Sequence, residues 1–296
     1  MVKFPPIVVV TADDFGRSDS ICHAVELAYR EGLVTDASLM VNAGSRDLGI
    51  EIARRNPGLG IGVHLAFQDV EPLSGSKFVA SLKNLSHGAV FLRLLFARPA
   101  HMRDVWSEME EQVKWLVEQG VRPSHINGHN HVHIHPRIRR NVSQLAVKYD
   151  IPWKRTPHER NFEHVGVARR AQQVALSFFC ILTSFVTDRN VNIPNQFFGF
   201  AVSGQMKREH LAKYLAKATS GVTEIICHIG LLDDAPSIDG YSWSSELATI
   251  TTMSKREAED AFNVNIAGFH EAARIKAAWM LQISPTRHNL VSKQQN

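Results

Sequence analysis

A chain of 296 residues and 33.1 kDa buries roughly three quarters of its unfolded surface on folding, which fits one large domain or two small ones and excludes a mini-protein and a multidomain array. Hydrophobic residues at 44% and charged residues at 21% exclude wholesale disorder, collagen and coiled coil. The 33 basic and 29 acidic residues leave a net charge of +4, scattered without a basic stripe or interleaved aromatics, so no nucleic-acid partner is expected.

Cys22, Cys180 and Cys227 are odd in number and lack a CxxC pair, which predicts buried thiols rather than disulfides or a thiolate zinc site. The longest apolar run, 174–186, is broken by Ser177, Thr183 and Ser184. It is shorter than the roughly 20 residues needed to cross a bilayer and reads as a buried helix, so no membrane span is expected. The amino terminus, MVKFPPIVVV, lacks the cationic, apolar and small-residue regions of a signal peptide, which predicts a cytoplasmic protein.

Apolar runs of strand length alternate with segments of helical period, the pattern of parallel strands joined by crossover helices. The chain order predicts a strand at 7–11, a helix at 18–31, a strand at 37–41 and a helix at 45–55 that Asn56-Pro57-Gly58 ends. A strand at 61–66 follows, then a weakly periodic stretch at 68–88 that reads as an inserted loop. Val105, Met109, Val113, Trp115 and Leu116 mark a helix over 103–119 with Gly120 placed to end it. Next come a strand at 123–127, a helix opened by Pro136 and running to 149, and a short strand at 153–155. Helices at 168–187 and 207–219, a strand at 223–227 and a final helix at 255–281 complete the reading. The fold class is α/β and no internal repeat or linker is evident. One domain is expected over 1–284, with 285–296 a frayed tail.

Chemistry gathers at four strand ends. Asp13 and Asp14 close the first strand in TADDFG; neighbouring residues on a strand point to opposite sides, so one carboxylate can bind metal while the other holds a proton. Their bland use is capping the next helix. His64 ends the apolar strand GIGVHL, as structure or as ligand; the glycines upstream precede the strand, which excludes a dinucleotide fingerprint. The run HINGHNHVHIHP carries His125, His129, His131, His133 and His135 at odd positions, which project broadly to one side unless Gly128 breaks the register. Not all five can ligate one ion. His228 follows the strand TEIIC. In barrels and open α/β sheets active sites gather at the carboxyl ends of the strands, and one carboxylate with two imidazoles makes an open metal site.

These residues resemble the YdjC-like carbohydrate deacetylase family, the group that includes chitooligosaccharide deacetylases and hopanoid-biosynthesis-associated proteins. The likeness is carried by TADDFG, GLVTDASLMVN at 32–42, GIGVHL, GHNHVHIHP at 128–136, NQFFGF at 195–200 and TEIICHIG at 223–230. It implies a distorted, TIM-like (β/α) barrel, one divalent ion per chain held by Asp14, His64 and His129, and removal of acetyl groups from N-acetylated sugars. It further implies Asp13 as general base, His228 as general acid or substrate contact, and a homodimer. His131 is a candidate substrate contact. The chain departs from the family pattern at Asn127, where many members have Asp, at Ile229 in place of Pro, and in YSWSSEL at 241–247, which lacks an Arg before Glu-Leu.

Metal would polarise the acetamide carbonyl and acidify water, and Asp13 would take the proton. Ligand softness favours zinc, whereas magnesium, also attributed to the family, prefers oxygen ligands. Two other readings stand beside this one: a metal-dependent amide or ester hydrolase of non-sugar substrates, and a non-catalytic carbohydrate-binding or regulatory protein on the same fold.

Overall fold

The computed structural model describes residues 4–159, 174, 191–232 and 240–283. The first strand, β1 (Pro6–Phe15), is rich in Val and Ile and buried at every position after Pro6. Such a strand, apolar on both faces, belongs in the middle of a parallel sheet covered by helices. Helix α1 (Asp19–Glu31) starts on Ser18, whose Oγ accepts the N–H of Ile21 at 3.3 Å. β2 (Asp36–Leu39), α2 (Arg46–Arg55) and β3 (Gly60–Leu65) follow.

The stretch expected to be a loop holds a one-turn helix, α3 (Lys77–Ala80), and then α4 (His87–Leu95) and α5 (Pro99–Glu118). Ser76 and Ser86 cap α3 and α4 through their hydroxyls, local signals that the weak periodicity obscured. β4 (His125–Gly128) leads into a 3-10 turn at His129–Ile134, α6 (Arg139–Lys148) and β5 (Trp153–Lys154). The helix expected at 168–187 lies outside the described residues apart from Val174, whose side chain is exposed.

After β6 (Gln196–Phe198), a strand the sequence reading missed, come α7 (Arg208–Ala216), β7 (Gly221–Cys227) and α8 (Trp243–Ile250). The single helix expected over 255–281 is split into α9 (Lys255–Phe262), β8 (Asn265–Ile266) and α10 (Phe269–Ile283). Asn263 ends α9 in the left-handed region at φ 52°, a conformation Asn tolerates at helix C-termini. The tail expected beyond 284 lies outside the described residues.

All strand pairs are parallel, in the order β5-β4-β3-β2-β1-β7-β6, with β8 paired to the start of β1. The sheet curls into a partial, distorted barrel wrapped by helices, the expected α/β class. Polar side chains of β2, β3 and β4, among them Ser38, His64 and Asn127, bond to one another in its interior. On β3, Gly60 and Gly62 share a face with His64, and a Cβ at Gly62 would lie 2.3 Å from the His125 ring. The glycines of this strand are thus gaps filled by a neighbouring side chain. Cys22 and Cys227 are buried free thiols; Cys180 lies outside the described residues. No described helix is long and apolar enough to cross a membrane.

Candidate metal centre

At the end of β1 the backbone of Asp14 is left-handed, φ 61°, and the register of β1 against β2 slips between Ala12 and Phe15. Asp is among the few residues that enter this region readily. The twist corrects the expectation that Asp13 and Asp14 point apart: both converge on His64, with Asp14 Oδ1 3.3 Å from Nε2 and Asp13 Oδ1 4.0 Å from Nδ1. Neither caps the next helix, because Ser18 does.

Asp14, His64 and His129 offer ligand atoms that all lie within 4.8 Å of one another, and all three residues are buried. His129 Nδ1 is 2.9 Å from Asp14 Oδ1, and its Nε2 is 3.3 Å from Asp69 Oδ2. Arg17 bridges the two acids, donating to Asp14 Oδ2 and Asp69 Oδ2 at 3.3 Å each, so Asp14 Oδ1 is the oxygen turned to the histidines. Burial alone would raise the Asp14 pKa, but His129 and His64 hold it well below the usual carboxylate range.

The donor chemistry fits a cation. Asn127 Nδ2 donates to Ser38 Oγ at 2.7 Å and to Asp13 Oδ1 at 3.3 Å, which turns its carbonyl to His64 Nδ1 at 2.7 Å. Nδ1 therefore carries a proton, and Nε2 is the nitrogen turned to Asp14 Oδ1, 3.3 Å away. A neutral His64 in this orientation presents a lone pair beside the carboxylate, a pairing that a cation between them satisfies. A hydrogen bond to the distal nitrogen that fixes the tautomer is the usual support of a ligating imidazole.

Asp13 lies beside this group and is held by Arg155, which donates to Oδ2 at 2.5 Å and Oδ1 at 2.9 Å. Arg155 also reaches Glu224 on β7, Nε to Oε1 at 2.9 Å. Burial would raise the Asp13 pKa, yet the Arg155 guanidinium holds it far below the usual range, so Asp13 is ionised.

His228, just past β7, is held by its backbone N–H, which donates to Glu246 Oε1 at 2.8 Å. Its ring packs edge-on against Tyr241 and Trp243 at 5.1 and 6.2 Å, and Nδ1 has no hydrogen-bond partner among the described residues. Burial lowers its pKa against the upward pull of Asp14 and Asp13.

The family model described as "YdjC-like protein" matches residues 7–260. The chain belongs to the YdjC-like family. A carbohydrate deacetylase of Geobacillus stearothermophilus is 34% identical over 148 residues, which cover 50% of this chain and 59% of that protein. The first relatives are therefore matched over little more than half of their length. A carbohydrate deacetylase of Vibrio campbellii is 28% identical over 245 residues, 81% of this chain and 85% of that protein. Among solved structures, a protein described as a cellobiose-phosphate cleavage protein from Enterococcus faecalis V583 superposes with a TM-score of 0.71 over 90% of this chain and 98% of that one, at 22% identity. That likeness shows the fold.

In this YdjC-like chain the histidine run does not line up on one side. The 3-10 turn carries left-handed backbone at Asn130 and His131, φ 51° and 55°, which disperses the odd positions. His125 turns into the barrel interior between Ser38 and Ser124. Of the five, His129 alone joins Asp14 and His64. His135 bonds the carbonyl of Phe91 through Nε2 at 3.2 Å and accepts the Arg137 N–H at 3.2 Å. His133 is buried, and neither ring nitrogen has a hydrogen-bond partner among the described residues. His131 packs near Phe200 and Phe197, ring centroids 5.1 and 6.3 Å away. Burial lowers its pKa to about 3.

Arg17, Asp69, Arg155, Glu224 and Glu246 were missed from the sequence. Arg155 stood at the end of an expected strand, the same signal that marked His64. Glu224 stood as a charge inside an apolar strand, which demands a buried partner.

Proposed function

We propose that this protein removes acetyl groups from N-acetylated carbohydrates with one divalent ion held by Asp14, His64 and His129. The observation that carries the reading is the convergence of that buried group with an ionised second carboxylate, Asp13, at the carboxyl end of the sheet. The carbohydrate deacetylases of Geobacillus and Vibrio supply the substrate class. On this reading residues 1–284 form the deacetylase domain.

A cation bound there supplies Lewis-acid polarisation of the acetamide carbonyl and a lowered pKa for water. Asp13 accepts the proton of the attacking water; a positioned general base contributes on the order of 10² to 10⁴ in rate. Held far below the usual pKa by Arg155, Asp13 is a weak base, sufficient only for water that has already been acidified. Its proton then passes to the more basic His228 and on to the leaving nitrogen as the C–N bond breaks, giving acetate and an amine. His131, beside Phe197 and Phe200, is assigned to a substrate contact at the rim.

Two imidazoles and one carboxylate suit zinc better than magnesium, which keeps several waters and prefers oxygen ligands. The deciding experiment is acetate release from a panel of N-acetylated mono-, di- and oligosaccharides and simple esters, using metal-stripped protein restored with zinc, magnesium, manganese or cobalt. Release that requires both metal and Asp13 supports the reading. Silence from folded, metal-loaded protein across the panel rejects it.

A further inference from the structure

Behind His64 the barrel interior holds a line of polar atoms. Asp36 and Ser38 come from β2, His125 and Asn127 from β4, and Ser124 precedes β4; all five are fully buried. From the site inward, His64 Nδ1 is 2.7 Å from Asn127 Oδ1, and Asn127 Nδ2 is 2.7 Å from Ser38 Oγ. Ser38 Oγ is 2.9 Å from His125 Nε2, His125 Nδ1 is 2.9 Å from Ser124 Oγ, and Ser124 Oγ is 2.8 Å from Asp36 Oδ1.

The two ends fix the direction of every bond. Asp36 Oδ2 already accepts the N–H of Phe269 at 3.1 Å; burial raises the Asp36 pKa to about 6, so above neutral pH it is a carboxylate and offers only acceptors. Ser124 must therefore point its hydroxyl proton at Asp36 and accept from His125 Nδ1. That leaves His125 Nε2 as a lone pair, which takes the Ser38 proton, and Ser38 Oγ accepts from Asn127 Nδ2. The Asn127 carbonyl then accepts from His64 Nδ1, and His64 Nε2 is left as the lone pair facing Asp14. At the far end Asp13 demands the same amide orientation, because Asn127 Nδ2 also donates to its Oδ1. Any reversal would set two donors or two acceptors against each other in a dry interior, where an unmade hydrogen bond is costly.

We propose that Asp36 is a positioning residue of the metal centre, acting through Ser124, His125, Ser38 and Asn127 to keep the His64 proton on Nδ1 and its lone pair on Nε2. The consequence for metal rests on His64 being a ligand; the direction of the chain does not. Hydrogen-bond partners behind metal-bound histidines typically change affinity about 10- to 100-fold when removed.

Asp36→Asn is the informative substitution. Its amide oxygen has to stay on the Phe269 N–H, so its NH2 group faces Ser124 and reverses the chain. The measurement is the proton position on the His125 and His64 rings, read by nitrogen-15 NMR of the metal-free full chain above neutral pH, together with zinc affinity by chelator competition. In the unsubstituted protein both rings carry the proton on Nδ1. Asp36→Asn moves the His125 proton to Nε2 and weakens zinc about 10- to 100-fold. Ser124→Ala, which removes one hydroxyl and serves if Asp36→Asn does not fold, cuts the chain and weakens zinc in the same direction. A native His125 with its proton on Nε2, or a native His64 that carries no proton on Nδ1, overturns the proposal. So do both variants keeping native ring protons and native zinc affinity. Native protein with the stated ring protons but no zinc binding rejects the metal reading and leaves the positioning chain standing.

Discussion

Arg155 and Asp13 form a two-pronged ion pair in the barrel interior, Nη1 to Oδ2 at 2.5 Å and Nη2 to Oδ1 at 2.9 Å, and the same guanidinium holds Glu224 through Nη2 at 2.7 Å. One cation thus serves two buried carboxylates. The charge is spent mainly on Asp13: burial leaves Glu224 with a raised pKa despite Arg155, while Asp13 is pulled down. Arg155→Met strands both acids, and removing one partner of a buried pair costs about 3–5 kcal/mol. The expected result is that loss in urea unfolding together with loss of acetate release. Arg155→Lys keeps the charge but not the fork, so it recovers part of the stability and little of the activity. Native stability in Arg155→Met would show that the pair contributes nothing net.

On the proposed mechanism, His129 and Asp13 separate metal holding from proton transfer. His129→Ala is expected to lose the ion, seen as metal content after dialysis, and activity with it. Asp13→Asn is expected to keep the ion and drop turnover by about 10² or more. Full metal occupancy in His129→Ala would remove it from the ligand set, and substantial turnover in Asp13→Asn would take the base role from Asp13.

Much of this site was legible because strand ends are legible. TADD, GVH and CH each sit after a β-branched run, and the rule that sites collect at the carboxyl ends of parallel strands brings Asp13, Asp14, His64, His129 and His228 into one neighbourhood. The histidine run misled, because alternation on an extended strand says nothing about a left-handed turn at Asn130 and His131. Asp69 was hidden in a stretch read as loop, although it reaches His129 and Arg17 across the mouth. Arg155 meets Asp13 across 142 positions of sequence, and pairing at that range has no periodicity to announce it. Asn127 was noticed only as a departure from family pattern; its part in setting the His64 tautomer needs the positions of three neighbours at once.

Gly62 tests the packing of the interior directly. A Cβ there would fall 2.3–2.5 Å from three atoms of the His125 ring, closer than any real contact, and His125 is fixed on both sides by Ser38 and Ser124. Overpacking a close-packed interior typically costs about 1–3 kcal/mol. Gly62→Ala is expected to lose that much in urea unfolding, whereas Gly75→Ala is expected to lose only the strain of a left-handed position, since a Cβ there meets open space. Native stability in Gly62→Ala would show that the His125 ring yields to the added methyl at no cost.

Glu246 gives the chain a pH dependence of unusual sign. Its carboxyl lies under His228, accepting the backbone N–H groups of His228 at 2.8 Å and Met206 at 3.1 Å. Burial raises its pKa from 4.5 to about 8, against the downward pull of those donors and of the Gly204 N–H. A folded pKa above the unfolded one means that the folded chain binds the extra proton between those values. Its stabilising contribution is therefore full below the unfolded pKa and is lost as pH rises through the folded one. A shift of this size corresponds to about 5 kcal/mol across the window. Glu246→Gln removes the slope but turns an NH2 group on a backbone donor, costing about 1–3 kcal/mol. The variant is expected to be less stable than the native chain near pH 5 and to draw level or pass it near pH 9, as measured by urea midpoints at three pH values. A constant offset at every pH would show that Glu246 does not titrate in this range.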